Sequence, residues 1–169
     1  PGRAAELRRR IAGELPAGWD ADLPVYADGS DGLATRNVSQ ACLQALRERG
    51  LGQSAITTIT DARIYQAYPQ TQTKFPLAVL WDSSDLVRSF DQGQVTSYDL
   101  APALELYGYD PNQLRRLQKA FEDATNTASL NPTGFQDCFA RINRWVPAFD
   151  KETKLHRRVA TLRIYAQPA

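Results

Sequence analysis

Apolar residues recur at spacings of three and four through the C-terminal half of this chain, and that rhythm constrains its fold more than any other feature. Leu77, Leu80, Trp81, Leu86, Val87 and Phe90 follow it and predict a helix over 77–90. Ser97 is a suitable cap for a helix through Tyr107, with Leu100 and Leu104 on its apolar side and Gly108 as its stop. Pro111 opens another, carried by Leu114, Leu117 and Phe121. Phe135, Cys138, Phe139, Ile142 and Trp145 predict one that starts at Asn131 or Thr133, and Val159, Leu162, Ile164 and Tyr165 mark a last apolar stretch over 155–165. Upstream, Leu7, Ile11 and Leu15 predict a short helix over 4–15, closed by Pro16 and followed by a turn-rich segment over 17–32. Thr35 caps a helix to about Arg49 with Val38, Cys42, Leu43 and Leu46 apolar. Residues 53–74 read less clearly: AITTIT is β-branched and suits a short strand, 61–68 suits a helical turn, and 94–96 suits a very short strand. The expected fold is mostly α, built of helix-loop-helix pairs with very short β-bridges between loops.

Twelve residues, Asp123–Gly134, separate two of these helices, beginning with an aspartate and carrying Leu130 at the eighth place. This is the frame of an EF-hand calcium loop. The succession LAVLWDSSDLVRSF, QVTSYDLAPALELYGY, LRRLQKAF, SLNPTGFQDCFARI and AFDKETKLHRRVATLRIYA resembles the last three hands of the penta-EF-hand family from Trp81 to Tyr165. Calcium needs a glycine at place 6 and a bidentate acid at place 12. Those places hold Ala128 and Gly134, and places 3 and 5 hold Thr125 and Thr127, so one carboxylate remains. The loop before Asp99 and the loop from Asp150, which carries Lys154 and Leu155, are no better supplied. The resemblance therefore implies the shape without the metal: degenerate hands, no calcium, no cofactor, and a bridge between Val95 and Leu130. It also implies a homo- or heterodimer through residues 154–165, where Leu155, Val159, Leu162 and Ile164 lie.

A second resemblance covers residues 8–46. The run RRRIAGELPAGWDADLPVYADGSDGLATRNVSQACLQAL is similar to the segment of transketolases that links their first thiamine-diphosphate domain to the second. No GDG motif for diphosphate and magnesium accompanies it, so the resemblance does not bring transketolase activity with it.

At 169 residues the chain is long enough to bury a core without disulfides or metal. It reads as a single domain over 1–169, with an N-terminal lobe over 1–74 and a C-terminal lobe over 75–169. It begins Pro-Gly and contains no methionine, as a processed chain or an excised piece would. A net charge of +1 makes nucleic acid an unlikely partner, although basic residues gather at both ends, Arg157, Arg158 and Arg163 among them. The longest apolar run, FPLAVLW, is too short to span a bilayer. Cys42 and Cys138 sit in apolar patterns and read as buried free thiols rather than a disulfide, which suits a cytoplasmic setting.

No catalytic constellation emerges. The single histidine, His156, stands among cations, and Asp82, Asp85, Asp91 and Asp99 read as surface charge. The residues best suited to meet a partner are Trp81, Tyr107, Tyr109, Trp145, Leu155, Val159 and Leu162, while Phe121, Phe135 and Phe139 sit at helical spacing that suits core packing. The leading expectation is a non-enzymatic, calcium-independent adaptor that binds a protein or peptide. The alternatives are a non-catalytic fragment related to a thiamine-diphosphate enzyme, or a basic phosphate- or RNA-binding module.

Overall fold

The computed structural model describes residues 30–169 apart from 68, 70–73, 83–85 and 127–128, with side chains from Val38 onward except that of Leu86. The expected helix over 4–15 and most of the turn-rich segment after it lie outside the described residues. The chain divides into two units, Pro1–Gly32 and Leu33–Ala169. The sheet belongs to the second.

Three helices and seven strands are present among the described residues: α1 (Ser30–Leu51), α2 (Ser54–Thr60), β1 (Ile64–Tyr65), β2 (Leu77–Trp81), β3 (Leu86–Asp91), β4 (Gln94–Leu100), β5 (Ala103–Gly108), α3 (Pro111–Asn126), β6 (Phe135–Asp150) and β7 (Leu155–Pro168). The fold is mixed α/β, which overturns the expectation of a mostly helical protein. β7 is its centre. On one side β7 pairs with β5 over 156–161 and with β4 over 164–166, and on the other side with β6 along nearly its whole length. β2 and β1 extend the sheet beyond β5, and β3 extends it beyond β4. All contacts are antiparallel except β1 with β2.

The predicted helices α1 and α3 are present, but α1 starts at Ser30, so Thr35 lies within it and is not its cap. Asp110 Oδ1 accepts the N–H of Asn112 at 2.9 Å, Pro111 takes the first helical position, and Leu114, Leu117 and Phe121 turn inward. AITTIT is a helix, not a strand: Ile56 and Thr60 are buried one turn apart, and burial outweighs the β-branched preference. The helices cover one face of the sheet. Val38, Cys42, Leu43 and Leu46 of α1 join the α3 residues, Leu104 and Leu106 of β5, and Ala160, Leu162 and Ile164 of β7 in one core.

The other predicted helices are strands, for two physical reasons. In β2, Leu77 to Leu80 are buried on both faces, and a short continuous apolar run has no period to distinguish strand from helix. In β6, register shifts fall between Phe135 and Asp137 and between Ile142 and Arg144. Each inserts a residue into a period-two pattern. Cys138, Ala140, Ile142 and Trp145 therefore share one face of a strand while imitating helical spacing.

The EF-hand frame fails with the helices. Trp81 ends β2 and 86–90 belong to β3, while 97–100 belong to β4 and 103–107 to β5. Asp123 ends α3. Leu130 donates its N–H to Cys138 at 2.7 Å, while Val95 pairs with Phe90, so the expected bridge between Val95 and Leu130 is not formed.

Candidate interaction surface

The β6–β7 ribbon is closed by a turn whose sequence dictates its shape. Asp150 Oδ1 accepts the N–H groups of Glu152, at 2.9 Å, and Thr153, at 3.4 Å, an Asx-type turn. Hydrogen bonding to Thr153 and to these backbone N–H groups lowers the Asp150 pKa. Lys154 completes the reversal at φ 56°. The β3–β4 hairpin turns on Gln92 and Gly93 at φ 49° and 81°, as the right-handed twist of paired strands favours.

Along the half of the ribbon near the chain terminus, Cys138 and Ala140 face the helices with Leu162, Ile164 and Ala166, and all are buried. Phe139, Arg141, Arg163 and Tyr165 alternate with them on the outer face. Registers place Val87, Asp99, Tyr165 and Phe139 in one row across β3, β4, β7 and β6. Three of the four are large apolar groups left open, at 63% for Val87, 44% for Tyr165 and 50% for Phe139. The fourth is paired: Arg163 donates to Asp99 through Nε and through Nη2, the latter at 2.7 Å. Arg141 lies opposite Arg163 and meets no acid among the described residues.

The outer edge of β6 is half covered. Cys138 O accepts from Leu130 N and from Ser129 Oγ at 3.1 Å, and Ile142 N donates to Asn126 Oδ1 at 3.0 Å. From Arg144 to Asp150 no second strand pairs with that edge among the described residues. Pro147 sits there, where a missing N–H costs the ladder nothing if it points outward.

The half of the ribbon near the turn is held by polar contacts. Glu105 of β5, 6% exposed on the outer face, accepts from Tyr107 Oη and from Arg157 Nη2. Burial pushes the Glu105 carboxyl up. Tyr107 and Arg157, with the Trp81 indole beside them at less than hydrogen-bond geometry, outweigh it and hold the group below its ordinary value. Arg157 also lies 5.7 Å from the Tyr107 ring centre. On the helix face, Arg158 donates to Gln118 of α3.

The residues expected to meet a partner are thus dispersed. Trp81, Tyr107, Val159 and Leu155 fall on the outer face, where Trp81 and Tyr107 surround Glu105. Trp145 and Leu162 face the helices, Leu162 fully buried and Trp145 packed at the core's margin. Tyr109 is exposed beyond β5, edge-on to Phe75 at 5.2 Å. Helical spacing assigns Phe139 to the core, whereas the structure leaves it half exposed on the outer face. The alternation CFARI was the signal that would have placed Phe139 outside. Of the C-terminal arginines, Arg157, Arg158 and Arg163 already have partners within the chain.

A cavity of about 270 Å³ lies against Gln40, Leu43, Gln66 and Asp82, and Asp82 accepts from Ser39. The His156 and Phe149 rings lie 4.6 Å apart, centre to centre, tilted by 38°. Among the described residues, no three His, Cys, Asp or Glu side chains are grouped to hold a metal. Among them, too, no helix is long and apolar enough to cross a membrane.

Comparison with known proteins gives two separate likenesses. Part of the chain is 43% identical over 79 residues to Transketolase-1, chloroplastic, of Arabidopsis thaliana, a stretch covering 45% of this chain and 11% of that protein. It is 50% identical over 80 residues to the chloroplastic transketolase of Spinacia oleracea, covering 44% and 11%. It is 56% identical over 46 residues to the transketolase of Mycobacterium tuberculosis, covering 27% and 7%. The chain thus spans about a tenth of the length of these relatives. No family model matches. Among solved structures, a chain from the virion of a native gene transfer agent particle shares the fold at a TM-score of 0.63 and 12% identity, over 73% of this chain and 92% of that one. A match of that extent lies mostly within residues 33–169. The transketolase likeness bears out the second resemblance in part, and nothing among these proteins is an EF-hand.

Proposed function

We propose that residues 33–169 are a protein-assembly subunit that associates with further copies of the chain through the β6–β7 ribbon. The observation that carries this reading is the row of Val87, Tyr165 and Phe139 on the outer face, continuous with a β6 edge that is unpaired beyond Ile142. Exposed apolar rows and open strand edges are the features by which sheets recruit other chains. The fold likeness to a chain of a virion, a particle assembled from many chains, supports it. Residues 154–165 enter the same surface through Leu155 and Val159. Sedimentation velocity over a range of concentrations tests the reading. Mass above the monomer is expected for the wild type, and monomer for Phe139→Asp combined with Tyr165→Asp at an unchanged melting temperature. A wild type that stays monomeric throughout would overturn it.

The transketolase identity favours a second reading, a non-catalytic segment related to a thiamine-diphosphate enzyme. The residues present do not fit the cofactor. The GDG motif is missing from the sequence, and no metal-ligand group is found among the described residues. A melting temperature raised by thiamine diphosphate with magnesium would favour this reading over assembly.

A further inference from the structure

The two cysteines lie on different elements that meet in the core. Cys42 comes from α1 and Cys138 from β6, 96 positions apart in sequence. Both side chains are fully buried, both are free thiols, and their sulfurs are 3.9 Å apart. We propose that this pair is an oxidisable site, at which a peroxide or a small-molecule disulfide joins α1 to β6 by an intramolecular cross-link.

A disulfide bond is about 2.05 Å long, so the sulfurs must close by roughly 2 Å. The neighbours of Cys138 within the sheet are small. Cys138 faces Ala166 across the strands, and its next neighbour on the same face is Ala140. Hydrogen bonding from Cys138 lowers the Cys42 pKa, while the same contact and burial raise that of Cys138, so Cys42 is the better nucleophile of the two. With peroxide, one thiol is oxidised to a sulfenic acid, releasing one water. The other sulfur then attacks it, forming the S–S bond and releasing a second water. Two thiols lose two electrons and two protons, and the peroxide is reduced. With a small disulfide, exchange through a mixed disulfide gives the same bond and two small thiols. Neither reagent reaches the pair in the closed fold, so the rate follows local opening of α1 from the sheet. Cross-linking residues so distant in sequence restricts the unfolded chain strongly and raises the melting temperature.

The test begins with fully reduced protein at a concentration where it is monomeric, exposed in parallel to hydrogen peroxide and to oxidised glutathione. After unfolding, thiols are titrated, the intact mass is measured, and melting is followed in the same samples. The expected result is no titratable thiol, a mass lower by two hydrogens, no adduct, a higher melting temperature, and reversal by a reductant. Cys42→Ala and Cys138→Ala, tested separately, should each lose the stabilisation by oxidant. Two titratable thiols after prolonged treatment would overturn the proposal. So would glutathione adducts or sulfinic acid on the wild type, or cross-links only between chains.

Discussion

The two halves of the β6–β7 ribbon are held to the rest of the protein by different physics. Near the chain terminus, Cys138, Ala140, Leu162, Ile164 and Ala166 are buried against the helices, and apolar packing anchors the strands. Near the turn, arginines reach out from both faces of β7: Arg157 to Glu105 on the outer face, Arg158 to Gln118 on the helix face. Strand β6 there, from Arg144 to Asp150, is exposed apart from half-buried Trp145. One ribbon thus joins a part whose stability follows buried area to a part whose stability follows charge. Burial is indifferent to pH and little affected by moderate salt, whereas ion pairs answer to both. The unpaired edge lies on the charge-held part, while the exposed row of Val87, Tyr165 and Phe139 lies on the packed part, so the surface proposed for assembly draws on both.

The largest effect should come from the packed half. Leu162→Ala removes a fully buried side chain opposite Ile142 and should cost about 2–5 kcal/mol in urea unfolding. Val146→Ala, near the turn, changes a half-open side chain and should cost less than about 1 kcal/mol. Similar losses from the two substitutions would break the distinction between the halves.

Next in size is Glu105→Gln. The amide keeps the shape but loses the charge opposite Arg157, whose side chain is 43% exposed and so partly rescued by water. A loss of about 1–3 kcal/mol at neutral pH is expected. The pH dependence has a definite sign. The folded carboxyl lies below its ordinary value of 4.5. Its stabilisation is therefore fully present above that value and disappears as pH falls through the lower, folded one. Unfolding curves below pH 4.5 should show the wild type losing this advantage over Glu105→Gln, with the two converging at the acid end. The lowered pKa of exposed Asp150 is common to both proteins and cancels in the comparison. A constant gap between the two proteins across acid pH would remove Glu105 as the charge that holds the turn-side half.

How much of this was legible in the sequence depends on the element. α3 carries its own start signal, and both α1 and α3 cover the stretch where periodicity puts an apolar face, but α1 begins at Ser30, five residues before the Thr35 that reads as its cap. The β3–β4 turn is visible in Gln92-Gly93. The strands were misread because their core positions are small: Ala140, Ala160 and Ala166 fill the face between Cys138, Leu162 and Ile164, which hides a period of two. The bulges in β6 then supply a false period near three and a half. Glu105 was invisible for a different cause. A single glutamate in ALELYG signals nothing until β7 brings Arg157 beside it from 52 residues away. The exposed row shares that origin, since Val87, Tyr165 and Phe139 become neighbours only through strand pairing.

The smallest effect concerns the turn that closes the charge-held half. Lys154 occupies φ 56°, a left-handed conformation in which its Cβ crowds the backbone. Glycine has no such penalty but gains more freedom in the unfolded chain, so Lys154→Gly should stabilise by less than about 1 kcal/mol. The gain should also be local. In hydrogen exchange, amides of β6 bonded to β7 over 144–150 should exchange faster than those over 138–142 in the wild type, because they have less burial to keep them closed. Lys154→Gly should slow the first set and leave the second unchanged, since the turn constrains only the strands it joins. Equal slowing in both sets would mean that the ribbon opens as one unit, with the apolar anchor and the arginine anchor released together. Slowing confined to 144–150 would show the turn-side half opening by itself while the core stays shut, which is the behaviour required of an edge that must receive another chain without unfolding the subunit that offers it.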